Sequence, residues 1–472
     1  MNTDWSSKPQ QGHAPAYTPS DSTEGPTFAS PLGNTGWGHD GFSHDPGFLA
    51  SQEELRCMLF TIAQSAAPTR APSPDEHEQD TEGSQGGDLH MRPVISNARR
   101  VQYLKNYVGQ VAPWCTFRVQ LPALARTFPA LLNAILAISA RQMERKEGTR
   151  ESFDSLELYQ EAIRLLSPLL EMRDPKVVAA CVLLCCLEMM SARAQDWRKH
   201  LEGCTALFEA FEIHGFSSGI LQAVFWCYVR MDIDLCGALI SDGTESTLLR
   251  PSKWLAPGCN DEDAARLFHA AQSPDMHANY AVYLCARACE LVSDRTQFVE
   301  LGVQNDCSGD TFHRRWLSIW EDLQQWIENR PSELLPVHTT HTKPFPHILF
   351  LHWAAISSNQ LYHTACILLL NTMVKSIKLR PAPAVSALWH ARRICGISLA
   401  NPHQGCLNNA IQPLWIAGRL FSHVSEHTII IDIIRRIEAE TGWGACWRIC
   451  DLELAWGYQI PRRRRTSTRK KG

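Results

Sequence analysis

At 472 residues, with 44% hydrophobic and 20% charged side chains, the chain has the composition of an ordinary globular protein, not a fibrous or wholly disordered one. Its net charge of −4 hides an acidic N-terminal region and a strongly basic end. The opening MNTDWSSKPQQ has no apolar signal region, and no apolar run reaches the ~18 residues of a membrane helix. An intracellular, non-membrane protein is therefore expected.

Residues 1–92 are rich in Pro, Gly, Ser, Thr and Gln and short of aliphatics, a composition that argues disorder. Trp5, Tyr17, Phe28, Trp37, Phe42 and Phe48 are scattered among the acidic residues there. Such a segment suits either a solvated tail or an activation region that folds briefly onto a partner's groove. One island, residues 51–63 (SQEELRCMLFTIA), reads as a short docking helix. Ser51 and Glu54 form its expected capping box, and Leu55, Met58, Leu59 and Ile62 form its apolar face.

A folded region is expected over residues 93–460, and every segment of it with a clear period is helical. Residues 95–111 are amphipathic. Residues 122–146 contain the apolar LLNAILAISA, and residues 155–170 carry Tyr159, Ile163, Leu166 and Leu170 on one stripe, with Pro168 bending the last turn. Asp174-Pro175 caps and starts a helix that is apolar on nearly every face from Val177 to Met190, broken only by Glu188. Such a helix belongs inside a helical layer. Residues 197–211, 220–239, 262–271, 276–292 and 311–328 follow as helices. After a Pro/His/Thr loop over 330–345 come 348–378, 384–400, 409–424 and 428–442. No period-2 strand of useful length appears, so the fold class is all-α, a large array of helical hairpins. The last stretch, 461–472, holds Arg462, Arg463, Arg464, Arg465, Arg469, Lys470 and Lys471. A basic cluster of this kind is the candidate nuclear localisation signal.

Sites for chemistry are scarce. The seventeen cysteines are odd in number and contain no C-x-x-C. The pairs Cys181/Cys185, Cys285/Cys289 and Cys446/Cys450 sit on apolar helices as core thiols. His423-Val-Ser-Glu-His427 matches the H-x-x-E-H zinc-hydrolase pattern, yet it straddles a helix junction, where a capping role fits better. His338, His341, His347 and His352 lie in a polar loop with no fixed geometry for a metal. Asp232 and Asp234 lie among apolar helix residues, where capping or ion pairing is commoner than catalysis. No phosphate loop, nucleophile elbow or dinucleotide fingerprint is present. No catalytic residue, metal or cofactor is expected, and the protein is not expected to be an enzyme.

Seven segments occur in an order that resembles the fungal-specific transcription factor domain, the regulatory region of zinc binuclear cluster regulators. They are 131–141 (LLNAILAISAR), 197–203 (WRKHLEG), 225–234 (FWCYVRMDID), 358–370 (SNQLYHTACILLL), 393–401 (RICGISLAN), 417–420 (AGRL) and 437–443 (IEAETGW). The resemblance implies an all-α array acting in the nucleus on transcription, often of metabolic or secondary-metabolite gene sets. It makes the arginine and aspartates of 228–234 structural contacts inside the array. Two departures stand out. The first 92 residues hold one cysteine, Cys57, where DNA-binding members carry six around two zinc ions. The stretch after Trp114 is also shorter than the family's usual acidic-aromatic segment. The expected partners are therefore proteins, either transcription machinery or a DNA-binding relative, with DNA contact indirect and no membrane. The alternative is a helical scaffold or ligand sensor, with a small-molecule effector seated against Trp316/Trp320 or Trp443/Trp447/Trp456.

Overall fold

The structure, a computed structural model, describes residues 41–66, 98–112, 116–148, 153–191, 194–239 and 246–458. The basic cluster 461–472, Trp114, and Trp5, Tyr17, Phe28 and Trp37 lie outside the described residues. The chain runs through α1 (Pro46–Ala66), α2 (Ala98–Asn106), α3 (Leu121–Ala125), α4 (Pro129–Glu147), α5 (Asp154–Leu166), α6 (Pro175–Ser191), α7 (Ala194–Ala210) and α8 (Ile220–Leu239). It continues with α9 (Asp261–Ala270), α10 (Pro274–Glu300) and α11 (Gly309–Glu328). The short hairpin β1 (His338–Thr340) and β2 (His347–Leu349) precedes α12 (Trp353–Thr372) and α13 (Ala387–Ala400). Then come α14 (Gln404–Leu407), α15 (Ile411–Gly418), α16 (Val424–Thr441) and α17 (Trp447–Ala455). The all-α architecture is as the periodicity implies.

The helices share one main core. Within it α4 packs on α5 and α6, α1 on α7, and α10 on α12. This core runs from Phe42 to Ile377, and a second core of 391–452 residues joins Phe345 and Ile367. A third cluster, including Ala278, Leu334, Phe350, Ala355 and Ile397, seats the hairpin between α10, α12 and α13. Helix α6 is buried from Val177 to Glu188, as a helix apolar all round must be. Its start is the expected one, since Asp174 Oδ1 accepts the Lys176 N–H at 2.8 Å. Pro168 ends α5 in a 3-10 turn, Ser167–Leu169.

The largest departure from the sequence reading is at the N-terminal end. Residues 41–66 are no isolated docking segment within a disordered region. Phe42, Phe48, Leu55 and Leu59 are buried in the main core. Phe42 packs on Phe48 at 4.7 Å and edge-on against Phe153 at 5.4 Å, while Phe48 meets Tyr159 at 5.3 Å. The helix begins at Pro46 because Asp45 caps it, its Oδ1 accepting the N–H groups of Gly47 at 2.8 Å and Phe48 at 3.1 Å. Ser51, read as the cap, is instead a buried residue in the second turn. Gly203 of α7 lets α1 approach: a Cβ there would stand 2.9 Å from Leu59 Cδ1.

The second departure is the hairpin. Residues 348–352, read as the start of a long helix, pair Ile348 with Thr339 and leave α12 to begin at Trp353. Asn401 enforces this pairing from α13. Its Nδ2 donates to the Ile348 carbonyl at 2.7 Å, and its Oδ1 accepts the Phe350 N–H at 2.8 Å. Gly396 leaves room for the same strand, since a Cβ there would fall 2.0 Å from the Pro346 carbonyl oxygen.

Candidate functional site

Two polar features sit inside the array, one closed and one open. The closed one is built around Glu188, the single break in the apolar face of α6. Its carboxylate is fully buried. Oε1 accepts the Tyr159 hydroxyl at 2.6 Å and faces His200 Nδ1 at 2.6 Å, and Oε2 accepts Gln52 Nε2 at 2.5 Å. Thus α1, α5 and α7 are all tied to α6 through one carboxylate. Burial opposes a charge on His200, but Glu188 and Cys204 outweigh it and push the imidazole up to about 10. The Cys185 hydrogen bond and the charge on His200, working against burial, bring the Cys204 thiol down to about 6. Cys204, His200 and Glu188 follow one another in the order of a thiol, base and orienting acid. All three are fully buried and line none of the described cavities. Their arrangement is a buried ionic brace. The sequence marks it only by one carboxylate in an apolar run.

The motif residues of the sequence comparison fall into the same pattern. Arg141 is buried, its Nε donating to Ser191 Oγ at 2.8 Å and its guanidinium lying 4.0 Å over Phe42. Asp232 accepts two backbone N–H groups, Leu248 at 2.7 Å and Leu249 at 3.0 Å, and so anchors the segment after α8. Burial outweighs these bonds and raises its carboxyl to about 7. Arg230 turns elsewhere, to the Trp226 carbonyl and to Asn279 Oδ1, each at 2.9 Å. The side chain of Asp234 lies outside the described residues. Glu438 pairs with Arg145 at 3.0 Å while its other oxygen accepts the Ala445 and Cys446 N–H groups, holding α16, α4 and the start of α17 together. Gly418 lies against Leu452, where a Cβ would come within 2.8 Å. In this chain these residues join helices.

The histidine patterns separate in space or serve as caps. His423 caps α16, accepting the Ser425 N–H at 3.2 Å. His427 is buried, stacked 3.8 Å from Trp456 and bonded to the Tyr458 hydroxyl at 2.8 Å. His338 and His347 lie at opposite ends of the hairpin register, and His352 caps α12. Among the described residues no group of three His, Cys, Asp or Glu side chains is placed to hold a metal ion. No described helix is long and apolar enough to cross a membrane. Cys450 and Cys57 are exposed, and the other members of the spaced pairs are buried.

The open feature is a cavity of about 120 Å³ between the turn after α2, the helices α4, α6 and α8, and the α14–α16 region. Its walls are mainly apolar, with Tyr107, Phe117, Leu183 and Trp443 among them, and it reaches the surface beside the exposed Gln110 and Gln404. Cys186 and Cys227 face it from neighbouring helices, with their sulfurs 4.0 Å apart. The sequence reading named Trp443 as a pocket wall, and the structure places it there. Trp316 is instead buried in the core, donating to the Leu369 carbonyl at 2.9 Å and stacked on Trp320. Trp447 donates to Gly444 and Trp456 to Gly418, each at 2.9 Å, as packing residues. Sequence reasoning missed the two thiols as cavity residues, because only the crossing of α6 and α8 brings residues so far apart together.

Comparison with known proteins places this architecture. Over 351 residues, 61% of this chain, it is 24% identical to the transcription activator AMTR1 of Alternaria alternata. That match spans 44% of the length of the relative. No solved structure matches the chain. The model describing the fungal specific transcription factor domain matches residues 103–452, most of the described helical array, and the chain belongs to that family.

Proposed function

We propose that this protein is a nuclear transcription regulator that controls a metabolic or secondary-metabolite gene set through protein partners. The observation that carries this reading is the family match over 103–452, which coincides with an array whose ionisable centre is buried. The similarity to a transcription activator supports it. Among the described residues, Glu188 and Glu438 join helices and Asp232 anchors the segment after α8. The helical array couples to transcription machinery or to a DNA-binding relative, and DNA contact is indirect. Arg462, Arg463, Arg464, Arg465, Arg469, Lys470 and Lys471 supply import to the nucleus.

The test is a reporter assay in which the full chain is fused to a heterologous DNA-binding module. Output is expected to change several-fold relative to the module alone. Replacing the seven basic residues with alanine should move a fluorescent fusion out of the nucleus. Unchanged output from the tethered chain would contradict the regulatory reading, and unchanged nuclear accumulation would contradict the import role. The second reading, a ligand-sensing helical protein, is favoured by the cavity beside Trp443 and is compatible with the first.

A further inference from the structure

The cavity described above has an unusual polar inventory. Tyr107 is buried, its hydroxyl has no hydrogen-bond partner, and the residue lines the cavity. A buried phenol without a partner costs stability, so its retention calls for an acceptor supplied from outside. Burial, and then the charges that Cys186 and Cys227 can carry, push this phenol well above its ordinary value, so it stays a donor. Cys186 lies 3.4 Å from Met231 Sδ and 4.0 Å from Cys227. Cys227 is the more exposed of the two thiols, and Arg230, the next cavity residue along α8, is one turn away from Trp226, whose carbonyl it holds.

The volume bounds the occupant. About 120 Å³ is close to the ~150 Å³ that accommodates benzene, so a ring of about six or seven non-hydrogen atoms fits. The apolar walls select a molecule with little polarity, and the phenol selects one acceptor on it. A carbonyl group satisfies that donor. A thiol at the same cavity then meets the electrophilic carbon of a conjugated carbonyl.

We propose that this cavity is an effector site for small, largely apolar α,β-unsaturated carbonyl compounds, which seat their carbonyl oxygen on Tyr107 and are captured by Cys227. The addition balances without a co-reactant. Cys227 Sγ forms a bond to the β-carbon as the carbon–carbon π bond breaks. The developing enolate charge on oxygen receives the Tyr107 hydrogen bond, and the proton lost from sulfur ends on the α-carbon. No group leaves. The hydrogen bond with Cys186 and the charge of Arg230, against burial, lower the Cys227 thiol, whereas Cys186 is raised, which makes Cys227 the nucleophile of the pair. The adduct would fill the space between α6, α8 and the α14–α16 region and so change how these helices sit. That regulatory consequence rests on the reading of the chain as a transcription regulator, whereas the capture chemistry does not.

The experiment uses the purified full chain and 2-cyclohexen-1-one, followed by intact-mass and peptide mass spectrometry. Cys227 is expected to be modified with a rate that saturates with reagent concentration, faster than the exposed Cys57 and Cys450, which serve as internal references. Tyr107→Phe should lower the Cys227 rate by about tenfold or more, because one donor to the developing oxyanion is lost. Circular dichroism of that variant checks that the array is intact, and the saturation in the unsubstituted protein does not depend on any variant. Modification of Cys57 and Cys450 with Cys227 untouched would overturn the proposal. So would a Cys227 rate that rises linearly and is the same in the Tyr107→Phe protein. In the reporter assay, an effect of the enone that Cys227→Ser abolishes supports the regulatory consequence, and adduct formation without any effect on output overturns that consequence alone.

Discussion

Glu188→Ala is expected to be the most damaging single substitution in the chain, lowering stability by about 3–5 kcal/mol. It strips the counter-ion from a fully buried imidazole and leaves the Tyr159 hydroxyl and the Gln52 amide without their acceptor. Thermal melting followed by circular dichroism measures the loss. Glu188→Gln keeps the shape and one acceptor, so it should fall between the two. The brace also sets a pH dependence. The folded state raises His200 from an unfolded value of about 6.5 to about 10. A raised value means that the folded state binds the proton more tightly, so this contribution is complete below about pH 6.5 and is lost as pH rises through about 10. The lowered Cys204 thiol contributes the opposite slope between about pH 6 and 9, so the net decline in the midpoint of the unsubstituted protein should be confined to about pH 9–10. In Glu188→Ala the part of that decline due to His200 should be missing.

Removing residues 1–66 is expected to prevent the array from folding, even though the family match begins at residue 103. The cut takes away Phe42, Phe48, Leu55 and Leu59 from the main core and exposes the surface of α7 around Gly203 and the Phe153, Tyr159 and Arg141 side chains that α1 covers. Truncating one such aromatic costs about 3–5 kcal/mol, and four large apolar side chains together exceed the stability of most domains. The shortened chain should be insoluble or bind a hydrophobic dye, and a separately supplied peptide of residues 41–66 should restore part of its helix signal. A soluble chain starting at residue 67 with an unchanged melting curve would show that α1 is an accessory segment.

What the sequence made legible, and what it hid, divides along the range of the interactions. Helices whose own residues set their ends were read well: Asp174-Pro175 starts α6, and the apolar run from Val177 is buried as its periodicity demands. Positions fixed by distant partners were not. Ser51 and Glu54 look like a cap in isolation, yet Asp45 is the residue whose oxygen meets the free N–H groups. Residues 348–352 look like the start of a helix until Asn401, fifty or so positions on, claims the Ile348 carbonyl. Phe42 and Phe48 resembled the aromatics of a disordered acidic tail because composition does not reveal that Phe153 and Tyr159 await them. Glu188 was noticed as an interruption, but its partners come from three other helices. The cavity shows the same division, since Trp443 stood out by type while Tyr107, Cys186 and Cys227 acquire meaning only where α2, α6 and α8 meet.

These observations describe one array in which buried polar residues join helices and α1 is an integral part closed over the Glu188 brace. Hydrogen exchange of the full chain, read peptide by peptide by mass spectrometry, tests this most directly. Peptides within 46–66 should be protected to the same extent as those of α7, and Glu188→Ala should release both together. Rapid exchange of 46–66 while α6 and α7 stay protected would contradict it.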